Sequence, residues 1–538
     1  MTLSDSLPTP SWVDSGSRPN RGLDLLGLRL PVQTIGNKLL NGVTTVTPLV
    51  RYVSFRTWIS YCYAQSRSPN DSKRFLEYAS RVEAAIAYGN LLRNSEKIGI
   101  LGATEARDVI ISGVSPLPLK ALVKQLGVNI YGGPCDQLGL TKATDTGVPA
   151  LTRERGVSLA QLLNSRLAQC DLGRRFAQGE IIDHASRAEL EVFGRYIDSE
   201  DIPDDETELL TSFVVPEVPL PEERPRLASY GLLLQLANSL KRKPVEDDLF
   251  KAAFNAEDTG PSELRPILDG WLRYLIRDLL AVSHEAVLQQ ITNAIERIDP
   301  NGTSIEADDV INELLAHVDD HKEALRDAGL VQFGESPLDL SFQEFYQRVQ
   351  KLTAEQKSDA EGLNRWQGPL NELKLIKIVR SSGVGVLAVL PLAWLLSTER
   401  AVPGRVEDDS VFDALSHLGW ARIGLKQVVI PSIRQFLREE WTLQEVIAAL
   451  ARRSVDQHLR VSWSRLSQDP KRDVAVMTSD GQRWTYRKRF NAGRTASRLD
   501  RAVGWLEQLG LLSERGLSPK GKIALTRCVE TLAIGVSS

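Results

Sequence analysis

The sequence predicts a mainly α, multidomain protein whose last part is a small, basic α+β module. Three observations carry that expectation. Apolar residues recur at helical spacing along most of the 538 positions, as in Phe75, Tyr78, Val82, Ala85 and Ile86. Acidic residues and prolines crowd into residues 198–225. Positive charge gathers after Ala451, around a pattern that reads as hairpin, helix, short hairpin, helix.

At roughly 150 residues per domain, the length implies several domains. With 42% hydrophobic residues, the chain can bury a core without a disulfide or metal staple. Cys62, Cys135, Cys170 and Cys528 are far apart and form no CxxC pair, which argues against a zinc ribbon and suits a reducing compartment. The segment Met1 to Arg18 is polar and lacks the apolar run of a signal peptide. The longest apolar run, Val384 to Leu396, contains Gly385 and Pro391. As a helix it spans about 20 Å, against roughly 30 Å of hydrocarbon, so it reads as a buried core helix kinked near Pro391. A cytoplasmic protein with no membrane partner is expected.

In chain order, residues 1–20 read as a flexible tail and 21–197 as an N-terminal helical domain. Turn signals punctuate that domain at Asn41-Gly42, Gly102, Gly113 and Gly132-Gly133-Pro134. The stretch Val43 to Ile59 is rich in β-branched and aromatic residues. It fits a strand, or a helix starting near Pro48. Residues 198–225 read as a linker: Asp198 to Glu223 holds ten acidic residues, no basic one, and four prolines that deny it a continuous helix. A central helical domain at 226–400 follows, with amphipathic helices at Leu227–Leu240, Ile267–Ile298 and Ile305–Asp327. The break from Arg400 to Asp409 introduces a C-terminal basic domain at 401–538.

From Ala451 to Ser538 there are 17 Lys/Arg against 8 Asp/Glu, while the rest of the chain holds 48 against 61. A basic region this segregated is the footprint of a phosphate-binding surface, or of a docking face for an acidic partner. Asp473 to Thr478 and Gln482 to Phe490 read as a hairpin across Ser479-Asp480-Gly481. The period of two puts Trp484, Tyr486 and Phe490 on one face and Arg483, Thr485, Arg487 and Arg489 on the other. Arg494 to Gln508 reads as a helix with Ser497 and Asp500 placed as a capping box. Its apolar sector is Leu499, Ala502, Val503, Leu506 and Leu509, and its polar side carries Arg494, Arg498, Arg501, Trp505 and Gln508. Two short strands around Glu514-Arg515-Gly516 and a last helix from Lys520 complete the order.

That order, with the strings WLEQLGLL and GLSPKGKIAL, resembles a winged-helix domain over the last part of the chain. The resemblance implies that the helix through Arg498 and Arg501 faces a DNA groove and that Arg515 sits on the wing. The N-terminal stretch GLRLPVQTIGNKLLNGVTTVTPLVRYVSFRTWI resembles large bacterial proteins from phage-defence islands. The function expected is a non-catalytic DNA-binding subunit of a larger bacterial system, of an anti-phage kind, with protein partners and double-stranded DNA as its ligand. Its expected contacts are Arg483, Arg487, Arg489, Arg494, Arg498, Arg501 and Arg515. The alternatives are a scaffold whose winged helix contacts protein, and a divergent metal-dependent nuclease.

Other patterns carry less. His317 and His321 stand four apart, with Glu313 a turn earlier, but Val318 occupies the position where a zinc-protease helix has glutamate. Asp299-Pro-Asn-Gly opens like a calcium loop but lacks the closing glutamate, with Val310 in its place. Glu372-Leu-Lys374 has the spacing of a nuclease ExK pair, with Asp359 upstream, and the chemistry needs it on a strand. Neither a cofactor nor a bound metal is expected.

Overall fold

The structure is a computed structural model that describes residues 24–66, 70–254, 261–299, 304–358, 370–381, 383–399, 423–468 and 473–534. The expected tail at 1–20, the break from Arg400 to Asp409, and Asp359 lie outside the described residues. The fold is mainly α, as expected. Among the described residues the sheets are small and antiparallel: three two-stranded pairs and one three-stranded sheet. No helix among them is long and apolar enough to cross a membrane.

The chain forms two compact units, and neither is continuous in sequence. The described residues of one fall in 24–33, 276–358 and 370–495; those of the other fall in 34–275 and 496–534. These units do not follow the sequential division expected at 197, 225 and 400. In the 34–275/496–534 unit the reason is visible in the packing. The last helix, Pro519–Ile534, lies on helix Arg224–Leu240, where a Cβ on Gly231 would meet Cys528 at 3.2 Å. Helices distant in sequence close one core, so no cut along the chain separates them.

In that unit Val43 to Val50 is non-helical and helix Arg51–Ala64 follows, which settles the ambiguous stretch. The helix is buried nearly all round, so no apolar stripe marks it in the sequence. Tyr52 stacks on Tyr131 with ring centroids 5.3 Å apart, and Trp58 is fully buried. Helices Ser72–Arg93 and Arg187–Gly194 cross at paired glycines: a Cβ on Gly194 would lie 2.3 Å from the Gly89 carbonyl oxygen.

The acidic stretch at 198–225 is packed structure, which corrects the linker expectation. Asp204–Val214 is a helix that starts just after Pro203, where a missing N–H costs nothing. Glu206 is fully buried and accepts from Arg51 Nη2 at 2.9 Å and Arg166 Nη1 at 3.0 Å. Glu223, 1% exposed, accepts from Arg155 and Arg226, while Asp198 pairs with Lys97. Apart from Arg226, three residues past Glu223, the partners of these acids come from elsewhere in the unit.

The other unit is organised around two long helices. Its share of helix Arg265–Ile298 starts at Ile276, and Leu443–Gln468 runs past helix Val386–Glu399. The last of these is the expected core helix, buried from Val386 to Ser397 with Pro391 inside it. His284 bridges all three. Its Nε2 accepts from Trp394 Nε1 at 2.9 Å, so Nδ1 carries the proton toward Ser454 Oγ at 2.8 Å. Burial and the neighbouring arginines hold this imidazole neutral, with its pKa down at about 3.

Candidate nucleic-acid interface

The predicted hairpin is present, with strands Met477–Asp480 and Arg483–Tyr486. Gly481 takes the left-handed backbone (φ +63°) that the tight turn requires. Strand Ile305–Glu306 adds to its outer edge, pairing Glu306 with Arg483. Trp484 is buried and Arg483 exposed, as the alternation predicts.

The hairpin arginines reach solvent but each also meets a carboxylate. Arg483 Nη1 lies 2.7 Å from Glu306, Arg487 Nη1 2.7 Å from Asp473, and Arg489 Nε 2.8 Å from Glu296. Beyond Tyr486 the strand ends, and Arg489 to Thr495 runs as a strap along helix Arg265–Ile298. Gln289 Oε1 accepts the Ala492 N–H at 2.9 Å, and Glu285 accepts the Gly493 N–H at 3.3 Å. Asp278 accepts from Arg494 Nε at 2.5 Å and from the Thr495 N–H at 3.3 Å. Positions 278, 285, 289 and 296 share one helical face. Arg29 completes the strap, donating to both Glu285 oxygens and to the Gly493 carbonyl at 3.1 Å. Arg494 is therefore a half-buried anchor on Asp278, whose side chain is 1% exposed.

The second predicted element begins later than expected. Helix Leu499–Gln508 follows Arg498, which sits in the left-handed region at φ +66°, so Ser497 and Asp500 form no capping box. Its polar side is met by the chain itself, although Arg501 stays exposed. Arg498 Nη1 donates to the Val43 carbonyl at 2.9 Å and Arg501 Nε to the Thr45 carbonyl at 3.1 Å. Trp505 Nε1 donates to the Thr47 carbonyl at 2.9 Å, and Gln508 Nε2 to the Pro48 carbonyl at 2.9 Å. Gln508 Oε1 also accepts the Val50 N–H at 2.8 Å. Spacings of four and three put 501, 505 and 508 on one helical stripe, with Arg498 just ahead of the helix, and a non-helical segment reads all four. Trp505 is fully buried, and burial lowers the pKa of the Arg498 guanidinium.

The expected wing is the pair Leu512–Ser513 and Gly516–Leu517. Gly516 has φ +89°, and a Cβ there would come within 2.5 Å of the Ala237 carbonyl oxygen, so only glycine fits. Arg515 is exposed, and its neighbour Glu514 pairs with Lys243 at 2.5 Å. Helix, short hairpin and helix thus follow in the expected order. The seven arginines do not belong to one module, however: 483, 487, 489 and 494 fall in the unit ending at Thr495, and 498, 501 and 515 in the unit resuming at Ala496.

The remaining candidates separate as well. Glu372 is buried and Lys374 exposed on helix Glu372–Ser381, so the ExK pair is not on a strand and faces two ways. His317 lies outside helix Val318–Asp327, while His321 is buried with Nε2 3.0 Å from the Leu314 carbonyl oxygen. Among the described residues no group of three or more His, Cys, Asp or Glu could hold a metal ion. No protein-family model, no curated protein and no solved structure matches the chain.

Proposed function

We propose that this chain is a non-catalytic interaction protein, a scaffold whose winged-helix-like element binds protein rather than a DNA groove. The observation that carries this reading is that Arg498 and the Arg501, Trp505 and Gln508 side of helix Leu499–Gln508 donate to main-chain carbonyls of residues 43–48. A base-reading helix needs those groups free toward the major groove. Retention of duplex DNA, measured across salt, is the test. The scaffold reading expects Arg498→Gln/Arg501→Gln to destabilise the fold without changing sequence preference or salt slope. Loss of sequence-selective binding in a folded double variant overturns it.

One observation favours the original expectation as a second reading. Arg483, Arg487 and Arg489 keep 49%, 43% and 77% of their side chains exposed despite their ion pairs. Such surface pairs are worth about 0–1 kcal/mol, so phosphate can replace the carboxylate. Binding on this route is sequence-independent, and the triple Arg→Gln variant lowers the salt slope by about 3. On either reading the chain acts by contact within a larger bacterial assembly.

A further inference from the structure

The unit containing residues 276–358 displays an aromatic ring its own core does not use. Phe333 is 94% exposed, yet it stands on a tightly held loop. Arg348 donates to the two carboxylate oxygens of Glu335 at 2.8 Å each, to the Leu330 carbonyl at 3.1 Å and to Glu344 at 2.7 Å. The Gln332 N–H donates to Glu335 at 2.8 Å, and Gly334 turns the chain at φ +90°. The Arg348 hydrogen bonds push the Glu335 carboxyl down to about 2, so the clamp stays closed at physiological pH. The Arg326 guanidinium lies 5.8 Å from the ring centroid. The result is a preorganised aromatic knob with a cation on its flank, two residue types enriched at protein interfaces.

The same unit carries a matching socket. A cavity of about 230 Å³ opens between helices Val318–Asp327 and Glu372–Ser381, lined by Asp320, Glu323, Ala324, Asp327, Ile378 and Ser381. Ala324 and Ile378 are buried and apolar, while the three carboxylates are exposed. Among the described residues none of the three makes an ion pair. A cavity of about 150 Å³ already holds benzene, so a phenyl ring fits. Lys377 and Arg380, exposed on the opposite helix, leave the negative potential concentrated along the Val318–Asp327 wall.

We propose that knob and socket are the two halves of one self-association contact: Phe333 of each copy enters the acid-rimmed cavity of a second copy, and Arg326 meets its carboxylates. Arg326 and the socket's acidic wall lie on the same helix, Arg326 beside the face that lines the socket, so one element contributes to both halves. That is the self-complementarity a two-fold symmetric interface requires. A different protein with an acid-rimmed pocket is the competing occupant, and it predicts no self-association. The contact is independent of whether the chain also binds nucleic acid.

Light scattering of the full chain over two decades of concentration tests it. The mass should rise from the 59.7 kDa monomer toward twice that value. Phe333→Asp alone and Glu323→Lys/Asp327→Lys alone should each hold it at the monomer value. All three positions are exposed, and circular dichroism checks that the variants fold. An equimolar mixture of the two variants should recover some dimer through the one intact contact. A wild-type chain that stays monomeric throughout, or a Phe333→Asp chain that still doubles its mass, overturns the proposal.

Discussion

Replacing Glu206 with glutamine removes one negative charge from a stretch crowded with acids, which an exposed linker tolerates or even welcomes. The structure demands the opposite. Glu206 and Arg51 are both buried, with side chains 0% and 1% exposed, and Arg166 approaches the same carboxylate at 3.0 Å. Arg51 also donates to the carbonyls of Tyr196, Asp198 and Asp201, so its guanidinium cannot swing out to water without breaking several bonds. Neutralising its partner leaves a buried cation without a counter-charge, at a cost of about 3–5 kcal/mol. For an unfolding slope near 3 kcal/mol/M, the urea midpoint falls by about 1–2 M. The companion variant Arg51→Met/Glu206→Leu removes both charges and recovers part of the loss. Recovery is incomplete because three carbonyls then lose their donor. Urea denaturation followed by far-UV circular dichroism, with proteolysis reporting on residues 198–225, measures both. A Glu206→Gln loss below about 1 kcal/mol, with early cleavage in this stretch, would restore the linker and refute the reasoning.

Three further outcomes follow from the packing. Gly194→Ala forces a methyl group onto the Gly89 carbonyl oxygen and should cost at least about 1–3 kcal/mol, read from the same denaturation curves. Acid should destabilise the 276–495 unit through His458, whose Nε2 accepts the Val476 N–H at 3.0 Å and whose Nδ1 faces the Leu25 carbonyl oxygen. Burial depresses its pKa from 6.5 to about 4, so the unfolded chain takes up the proton first; stability is full above pH 6.5 and falls by roughly 3 kcal/mol as pH drops to 4. His458→Gln should flatten the stability–pH curve across that window, and an unchanged slope would remove His458 as the cause. Trp505→Ala, which empties a fully buried site and frees the Thr47 carbonyl, should cost about 3–5 kcal/mol, whereas a loss under about 1 kcal/mol would mean the helix is not docked.

How far the sequence could be read depended on where each partner stood in the chain. The hairpin was legible because its alternation, its glycine turn and its buried Trp484 are local. The core helix from Val386 to Glu399 was legible because an apolar run too short for a bilayer has few other uses. Helix Arg51–Ala64 was ambiguous because a helix buried on all sides shows no stripe. The acidic stretch misled because Glu206 and Glu223 are answered by Arg51, Arg155 and Arg166, which stand far from it in sequence, and only Arg226 is a near neighbour. The capping box at Ser497 failed because Arg498 turns left-handed before the helix starts. The least legible feature was the polar set Arg498, Arg501, Trp505 and Gln508. It has the chemistry of a phosphate-binding face, and the carbonyls it meets at 43–48 carry no side-chain signature. By contrast, Asp278, Glu285, Gln289 and Glu296 were readable as one helical face, and that polar stripe on a buried helix was the available sign of the strap.

Amide hydrogen exchange at residues 43–50 reports what the polar side of helix Leu499–Gln508 touches. In the wild-type chain the amides of Val43, Thr47, Leu49 and Val50, each with an acceptor, should exchange slowly, and the Val50 N–H, held by Gln508 Oε1, should be among the slower ones. Gln508→Ala should speed exchange there by roughly tenfold, the equivalent of about 1–1.5 kcal/mol, while leaving distant helices unchanged. Added duplex DNA should alter neither pattern. Fast exchange at Val43, Thr47, Leu49 and Val50 in the wild type, with protection of helix Leu499–Gln508 appearing only when DNA is added, would show a free reading helix and overturn the scaffold reading.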